Sequence, residues 1–152
     1  MNPELRELYQ SVILDHGRKP RNFRTVEEPT HHADGFNPLC GDKVHLKLVV
    51  DGGTICEAGF QGEGCAISTA SASMMTEMIK GLSISDSQAL FDRFHALLTG
   101  TDEQAEAARD QIGKLSVFSG VREYPARVKC AILVWHTLKS ALQHTDEAVS
   151  TE

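Results

Sequence analysis

The chain has 152 residues, 41% of them hydrophobic, and this length and composition suit one compact domain. Acidic residues outnumber basic ones by 21 to 15, giving a net charge of -6, which argues against a nucleic-acid binder with a phosphate-neutralising face. No apolar run approaches the roughly 18 residues that cross a bilayer, and the amino terminus lacks a signal pattern. We expect a cytoplasmic protein without nucleic-acid or membrane contacts. Residues 1–143 would form one domain and 144–152 a flexible tail.

The amino-terminal segment has the pattern of an amphipathic helix. Asn2 and Pro3 resemble an N-cap and first-turn pair, and apolar residues then recur at helical spacing until Gly17. The following segment, 18–35, is poor in aliphatic residues and is predicted to be an extended connector with at most one short strand. It contains His31 and His32, and we expect this exposed histidine pair to stay outside any metal site.

A short loop at 37–42, Asn-Pro-Leu-Cys-Gly-Asp, places a thiol and a carboxylate two residues apart. Pro38 fixes one backbone angle and Gly41 permits unusual ones, so the loop can direct Cys40 and Asp42 at one point. Zinc binds both ligand types and usually takes four ligands, so two more would come from elsewhere in the chain. Taken alone, such a loop is more often only a turn.

Two strands are predicted after this loop. Alternating apolar residues mark a strand over 44–50, a turn follows at 51–53, and 54–60 returns antiparallel. Because a tight hairpin brings the start of its first strand beside the end of its second, Cys40 should lie near the segment that follows Phe60. Cys56 lies in mid-strand, where cysteine usually acts as a small hydrophobe, and we leave it out of the site.

Cys65 stands at the entrance of the next predicted helix, which ends before Gly81. Free backbone N–H groups and the helix dipole favour a thiolate at such a position, although a cysteine there can also serve simply as a cap. Two short helices follow, for which Ser85 with Gln88 and Thr101 with Gln104 have the form of capping boxes.

The last helix is predicted to start at Pro125, with a buried stripe that leaves Cys130 to one side. Arg127 and Lys129 flank this cysteine and supply cationic charge that favours its thiolate. Because the sequence shows no export-signal pattern, we expect its thiols to serve metal binding or chemistry, and a disulfide framework is disfavoured. Spacing alone does not show that Cys130 meets the other residues.

Several segments, in this order, resemble the U-type family of iron–sulfur cluster assembly scaffolds. The likeness covers about residues 5 to 142 and implies an α+β fold of the SufE/NifU-like kind. A three-stranded antiparallel sheet would carry helices on one face and gather the site at one end. The resemblance implies the ligand set Cys40, Asp42, Cys65 and Cys130. The matching segments are Leu8-Tyr9, Asp15-His16, Pro20-Arg21-Asn22, residues 37–42, residues 62–68 and residues 127–131.

Two departures resemble the SufU-type branch of this family. Lys129 stands where the scaffold branch has a histidine, and residues 82–105 look like an insertion. The resemblance to this branch implies a Zn²⁺-binding sulfurtransferase that accepts persulfide sulfur through Cys40 from a PLP-dependent cysteine desulfurase. The docked desulfurase would supply a substitute ligand while Asp42 stays in place. A downstream iron–sulfur scaffold or acceptor would then take the sulfur.

Three alternatives stay open. In the first, the same four residues assemble a [2Fe-2S] cluster, or bind iron, on a true scaffold. In the second, a structural zinc ion supports a plain interaction module. The third, a cysteine hydrolase, is disfavoured because none of the thiols has an evident histidine partner. Arg127 would steer the persulfide or the partner, or else remain an ordinary surface arginine.

Overall fold

Helices and strands of the protein were assigned from a computed structural model, which describes residues 2–143 and 149–150. In chain order they are α1 (Pro3–Arg18), β1 (His31–Asn37), β2 (Asp42–Asp51), β3 (Thr54–Glu63), α2 (Ala66–Ile79), α3 (Ile84–Thr99), α4 (Asp102–Arg109), a 3₁₀ helix (Gly113–Glu123), α5 (Pro125–Leu142) and β4 (Val149–Ser150).

The sheet contains the predicted antiparallel strands in the order β3-β2-β1, and the two-residue β4 pairs in parallel with β1 at the edge. Every second residue of β2 from Asp42 to Leu48 is buried, including Val44 and Leu46, because successive side chains of a strand point to opposite faces. The helices α2 and α5 cover this apolar face. The α+β class and the three-stranded antiparallel arrangement are therefore confirmed.

The predicted connector is shorter than expected, because β1 begins at His31 and pairs along its length with β2. His31 and His32 thus lie in a strand rather than on a connector, and adjacent strand residues point to opposite faces. Most of the predicted tail, 144–148 and 151–152, lies outside the described residues. Val149 and Ser150 form β4, so this part of the tail is a strand.

The first helix starts as its sequence predicts. The Asn2 side chain accepts a hydrogen bond from the backbone N–H of Leu5 at 2.7 Å, and Pro3 occupies the first turn. Partly buried Tyr9, Val12 and Ile13 pack against the core. This helix lies along α2 and beside the 3₁₀ helix, and it forms one wall of the cleft that contains the candidate site.

The core centres on Trp135, which is fully buried on α5. Its ring stacks on Phe94 of α3 with centroids 4.8 Å apart, and its Nε1–H donates to Ser71 Oγ of α2 at 3.1 Å. Ser71 Oγ in turn donates to the Ala131 carbonyl at 2.6 Å. These contacts join three helices behind the sheet and fix the position of α5, from which Cys130 reaches the site.

The capping box of α4 is confirmed, since Thr101 and Gln104 exchange both hydrogen bonds. The capping box expected at Ser85 is wrong, because α3 begins two residues earlier with Ser83 as its N-cap. Either serine precedes a carboxylate or amide at a compatible spacing, so the local pattern does not choose between them. Among the helices in the described part of the chain, none has the length and apolarity needed to cross a membrane.

Candidate metal centre

The candidate site begins at the loop that joins β1 to β2. Asn37 and Asp42 face each other as the last pair of these strands, so residues 38–41 form a short connection. The Cys40 backbone N–H donates to the Asn37 carbonyl at 3.3 Å, and Gly41 has a φ of 69°, which glycine adopts without strain. Cys40 is exposed on this loop, beside a Leu39 side chain that is 65% exposed.

Asp42 lies at the start of β2 and is fully buried. Its Oδ1 accepts a hydrogen bond from the Cys65 backbone N–H at 2.9 Å, and its Oδ2 accepts one from Asn37 Nδ2 at 3.3 Å. Gly64 makes room for the carboxylate, because a Cβ at that position would lie 2.7 Å from Oδ1. Burial of an ionised carboxylate requires such partners, so this group is held by its neighbours rather than by water.

Cys130 approaches the same point from α5. Its Sγ lies 3.3 Å from Cys40 Sγ, 3.5 Å from the Ala126 carbonyl oxygen and 3.6 Å from Asn37 Nδ2. The ligand atoms of Cys40, Asp42 and Cys130 all lie within 4.8 Å of one another. The convergence of Cys130 on the loop, which spacing did not show, is therefore present in the folded chain.

Cys65 lies beside this trio rather than within it. It lies at the entrance of α2, as predicted, and there it is the N-cap, with its Sγ accepting a hydrogen bond from the Ser68 backbone N–H at 3.4 Å. Its own N–H binds Asp42, so the α2 entrance is joined directly to the buried carboxylate. The structure brings together three of the four expected ligands and places the fourth next to them, half-buried and bound to the helix end.

The expectation that local cationic charge favours a Cys130 thiolate is wrong for the metal-free protein. Cys130 is only 3% exposed, and burial raises the pKa of its thiol well above the ordinary range. Hydrogen bonding to Asp42 and Cys40 and the nearby charges of Cys65 and Asp42 raise this pKa further. The predicted position of Cys130 beside the buried stripe is also wrong, because α5 is enclosed on nearly every side.

A cleft of about 560 Å³ opens onto the three thiols. Its walls are largely apolar, and the Arg127 guanidinium lies over the Tyr124 ring at 4.7 Å from its centroid. Arg127 therefore stands at the cleft rather than on a remote surface. The lining comprises Cys40, Cys65 and Cys130 with Arg6, Tyr9, Gln10, Ile13, Leu14, Ala66, Ile67, Val117, Gly120, Val121, Glu123, Tyr124, Ala126 and Arg127.

The donor set suits a thiophilic divalent metal. Two sulfurs and a carboxylate that crowd together, with a third sulfur beside them, concentrate negative charge once the thiols ionise, and a bound cation compensates for it. Thiolate ligands favour zinc or iron over magnesium or calcium. Within the described residues, neither Cys56 nor His31 and His32 belong to this cluster, and Cys56 is exposed on β3.

Asn37 is the site residue that the sequence did not identify as functional. It is fully buried, its amide nitrogen faces Asp42 and Cys130, and its Oδ1 is a buried oxygen without a hydrogen-bond partner. Such an atom costs about 1–3 kcal/mol of stability. An asparagine before a proline is typical of any turn, so the sequence alone does not mark Asn37 as a site residue. Its contact with the site follows from its pairing with Asp42 across the two strands.

The fold and the site together define a class of small α+β proteins in which an antiparallel sheet and packed helices gather cysteines and an aspartate at one end. The chain belongs to the family described as the NifU-like N-terminal domain, which matches residues 8–131. The family resemblance inferred from the sequence is thereby confirmed.

Relatives with names from both branches of this family are similar over nearly the whole chain. The zinc-dependent sulfurtransferase SufU of Bacillus subtilis is 38% identical over 141 residues, which cover 93% of each chain. The iron-sulfur cluster assembly scaffold protein IscU of Streptococcus pyogenes is 35% identical over 145 residues, 95% of this chain and 89% of the relative.

A crystal structure of a putative iron-sulfur cluster assembly scaffold protein for the SUF system, from Fervidobacterium islandicum, has the same fold. It superposes with a TM-score of 0.80 at 33% identity, covering 90% of this chain and 97% of the other.

Proposed function

We propose that the protein is a zinc-binding sulfur-transfer protein of iron–sulfur cluster assembly, with Cys40 as the residue that accepts sulfur. The observation that carries this proposal is the unequal exposure of two adjacent thiols. Cys40 is exposed on a loop, whereas Cys130 is buried on a helix, and their Sγ atoms lie 3.3 Å apart. The similarity to a zinc-dependent sulfurtransferase over 93% of the chain supports the same assignment.

Cys40, Asp42, Cys65 and Cys130 would hold the zinc ion. Zinc would keep the coordinating thiols ionised at neutral pH and would protect them from oxidation. Asp42 and Cys130 are buried and hydrogen-bonded, so they would stay in place when Cys40 turns outward. Cys65 is half-buried at the α2 entrance, and its Sγ would complete the set.

The sulfur donor would be the persulfide of a PLP-dependent cysteine desulfurase. The Cys40 thiolate attacks the terminal sulfur of this persulfide and forms a new S–S bond, while the original S–S bond breaks. The electron pair of that bond leaves with the partner's cysteine as a thiolate, and Cys40 carries the persulfide. A downstream iron–sulfur scaffold or acceptor would receive it, and Arg127 at the cleft would attract the anionic donor group.

The test combines metal content with the location of the transferred sulfur. The zinc-loaded protein is mixed anaerobically with desulfurase and cysteine, persulfides are alkylated, and the peptides are identified by mass spectrometry. We expect one persulfide, on Cys40, and its loss in Cys40→Ser. Cys56→Ser removes another exposed thiol, outside the cluster, and should transfer sulfur normally. Persulfide on Cys65 or Cys130 in the wild type, or no zinc-dependent uptake, would contradict the proposal.

A second candidate is a scaffold that assembles a [2Fe-2S] cluster on the same residues. The 35% identity to a scaffold protein over 95% of the chain favours it. Anaerobic reconstitution with iron and sulfide separates the two functions. A stable chromophore at one cluster per protein, with no sulfur uptake by the zinc form, would support the scaffold.

A structural zinc in an interaction module predicts a different result. Stripping the metal would then unfold the protein, and a Cys40→Ala variant that retains metal would still stimulate the desulfurase. The buried Asp42 and Cys130 suit a structural zinc site and a sulfur-transfer site equally well. The effect of replacing the exposed Cys40 therefore distinguishes the two functions.

A further inference from the structure

Asn37 makes three contacts with the candidate centre, two through its side-chain nitrogen and one through its backbone carbonyl. Its side-chain nitrogen donates to Asp42 Oδ2 at 3.3 Å and lies 3.6 Å from Cys130 Sγ. Its backbone carbonyl accepts the Cys40 N–H at 3.3 Å. One residue therefore touches the carboxylate, the buried sulfur and the backbone of the loop that bears the exposed sulfur.

The burial of Asn37 makes its orientation specific. The residue is fully buried, and its Oδ1 has no hydrogen-bond partner. With the amide reversed, this oxygen would face the Asp42 carboxylate and the Cys130 sulfur, both of which are acceptors when ionised. In the observed orientation the amide nitrogen donates hydrogen bonds to both ligands, and the amide oxygen has no hydrogen-bond partner. An asparagine that served only the fold would be expected to satisfy both of its groups.

We infer that Asn37 is a positioning residue, which holds the Asp42 carboxylate and the Cys130 sulfur in their ligand orientations. Its side-chain N–H groups contact both ligands from within the protein, where Asn37 is fully buried. Residues that hydrogen-bond metal ligands in this way commonly change metal affinity about 10- to 100-fold when they are replaced. The inference rests on the proposed metal site and deepens it, because it explains what keeps two ligands in place while Cys40 moves.

The test uses Asn37→Leu, which keeps the approximate shape but removes the donors. Zinc affinity of the reduced, full-length protein is measured anaerobically by competition with a chromophoric chelator. Cobalt is bound in parallel, because its thiolate charge-transfer bands report ligand geometry. We expect zinc affinity to fall about 10- to 100-fold and the cobalt bands to shift. The unfolding midpoint of the metal-free protein should change little, since the variant also removes the buried oxygen that lacks a partner.

Two further variants keep the inference testable if the leucine variant does not fold. Asn37→Asp replaces the donor by a second carboxylate beside Asp42 and should weaken zinc binding as well. Asn37→Ser keeps one hydroxyl donor and should lose less affinity than Asn37→Asp. Thr137→Val is the matched control, because Thr137 is also fully buried and its hydroxyl donates to the Leu133 carbonyl of its own helix, away from the cluster. It should bind zinc as the wild type does.

The outcomes separate this inference from the proposed function. If the wild type binds zinc and the folded Asn37 variants bind it within about twofold of the wild type, with unchanged cobalt bands, the positioning role is overturned and the proposed function stands. A merely structural role would lower the unfolding midpoint without changing zinc affinity, which also overturns it. If the wild type binds no zinc, the proposed function fails and this inference fails with it.

Discussion

The two adjacent thiols of the site, Cys40 and Cys130, differ in their exposure and in the element that carries them. Cys40 lies exposed on a short loop beside a largely exposed Leu39, whereas Cys130 is 3% exposed in an enclosed helix. The buried thiol has neighbours on several sides, including Asn37 and the Ala126 carbonyl. A site that combines an outer and an inner thiol has one group that can meet a partner protein and another that stays in place.

The largest difference is expected from removing each thiol in turn. Cys130→Ser replaces a ligand that the fold holds in position, and we expect zinc affinity to fall more than the roughly 100-fold seen when an outer-shell partner is lost. Cys40→Ser should retain more zinc but lose sulfur acceptance. Metal content after dialysis and persulfide mapping measure the two effects. Equal zinc loss in both variants would remove the distinction between the inner and outer thiol.

A second substitution sharpens the comparison from the inner side. A Cβ on Gly64 would lie 2.7 Å from Asp42 Oδ1 and 2.8 Å from Ser68 Oγ, so Gly64→Ala must displace the buried carboxylate or the α2 entrance. We expect zinc affinity to fall about 10- to 100-fold, as for other groups that orient ligands. Gly120→Ala is the matched control, since a Cβ there meets nothing within 4 Å although the residue lines the same cleft.

For the Gly64 test, chelator competition measures the zinc affinity of both alanine variants. A Gly64→Ala protein that binds zinc as tightly as Gly120→Ala would show that the carboxylate position is less constrained than its hydrogen bonds indicate.

The proximity of the thiols predicts a third result, in the metal-free protein. Diamide should oxidise Cys40 and Cys130 to a disulfide, with the two electrons and two protons passing to the reagent, because the sulfurs lie 3.3 Å apart. Zinc should slow this reaction about tenfold or more by occupying the thiolates. Peptide mapping identifies the cross-link, which Cys56→Ser should leave intact. A dominant Cys40–Cys65 link would contradict the geometry.

The smallest expected effect concerns the framework behind the cleft. His16 Nδ1 lies 2.8 Å from Ser73 Oγ, which also accepts the Arg21 N–H. Burial lowers the pKa of His16, and Arg21 lowers it further, although Glu77 and Asp15 oppose this effect and Lys114 adds to it. The unfolded chain therefore binds a proton more readily, so this contribution to stability is present above about pH 6.5 and is lost as the pH falls below it.

His16→Gln should accordingly flatten the dependence of the unfolding temperature on pH between about pH 7.5 and about pH 5.5. Thermal unfolding of the metal-free wild type and variant measures it. A variant with the same pH dependence as the wild type would show that other groups account for the slope.

Local patterns in the sequence determined much of the fold. Strand alternation and the glycine turn predicted the β2–β3 hairpin, and this hairpin correctly placed the Cys65 segment beside the Cys40 loop, where the Cys65 N–H binds Asp42. The site's inner half was harder to predict, because Cys130 reaches it through the packing of α5 against the sheet. That packing depends on contacts between residues far apart in the chain, such as Trp135 with Phe94.

The pKa of the Cys130 thiol also could not be predicted from its neighbours in the sequence. Arg127 and Lys129 flank Cys130 in sequence and suggest a stabilised thiolate, yet burial dominates and raises the pKa of this thiol. The role inferred for Asn37 depends on strand register, since its partner Asp42 is defined only by pairing across the loop. Burial and register are properties of the folded chain, and the residues next to each group in sequence do not reveal them.

The position of Trp135 offers a practical optical signal. It is the single tryptophan of the chain, fully buried and hydrogen-bonded, and it lies five residues after Cys130 on the same helix, about 7.5 Å along its axis. Its fluorescence therefore originates from one place, the interior behind the thiols. A shift or quenching of this emission during zinc titration would report movement of α5 in solution, without any attached label.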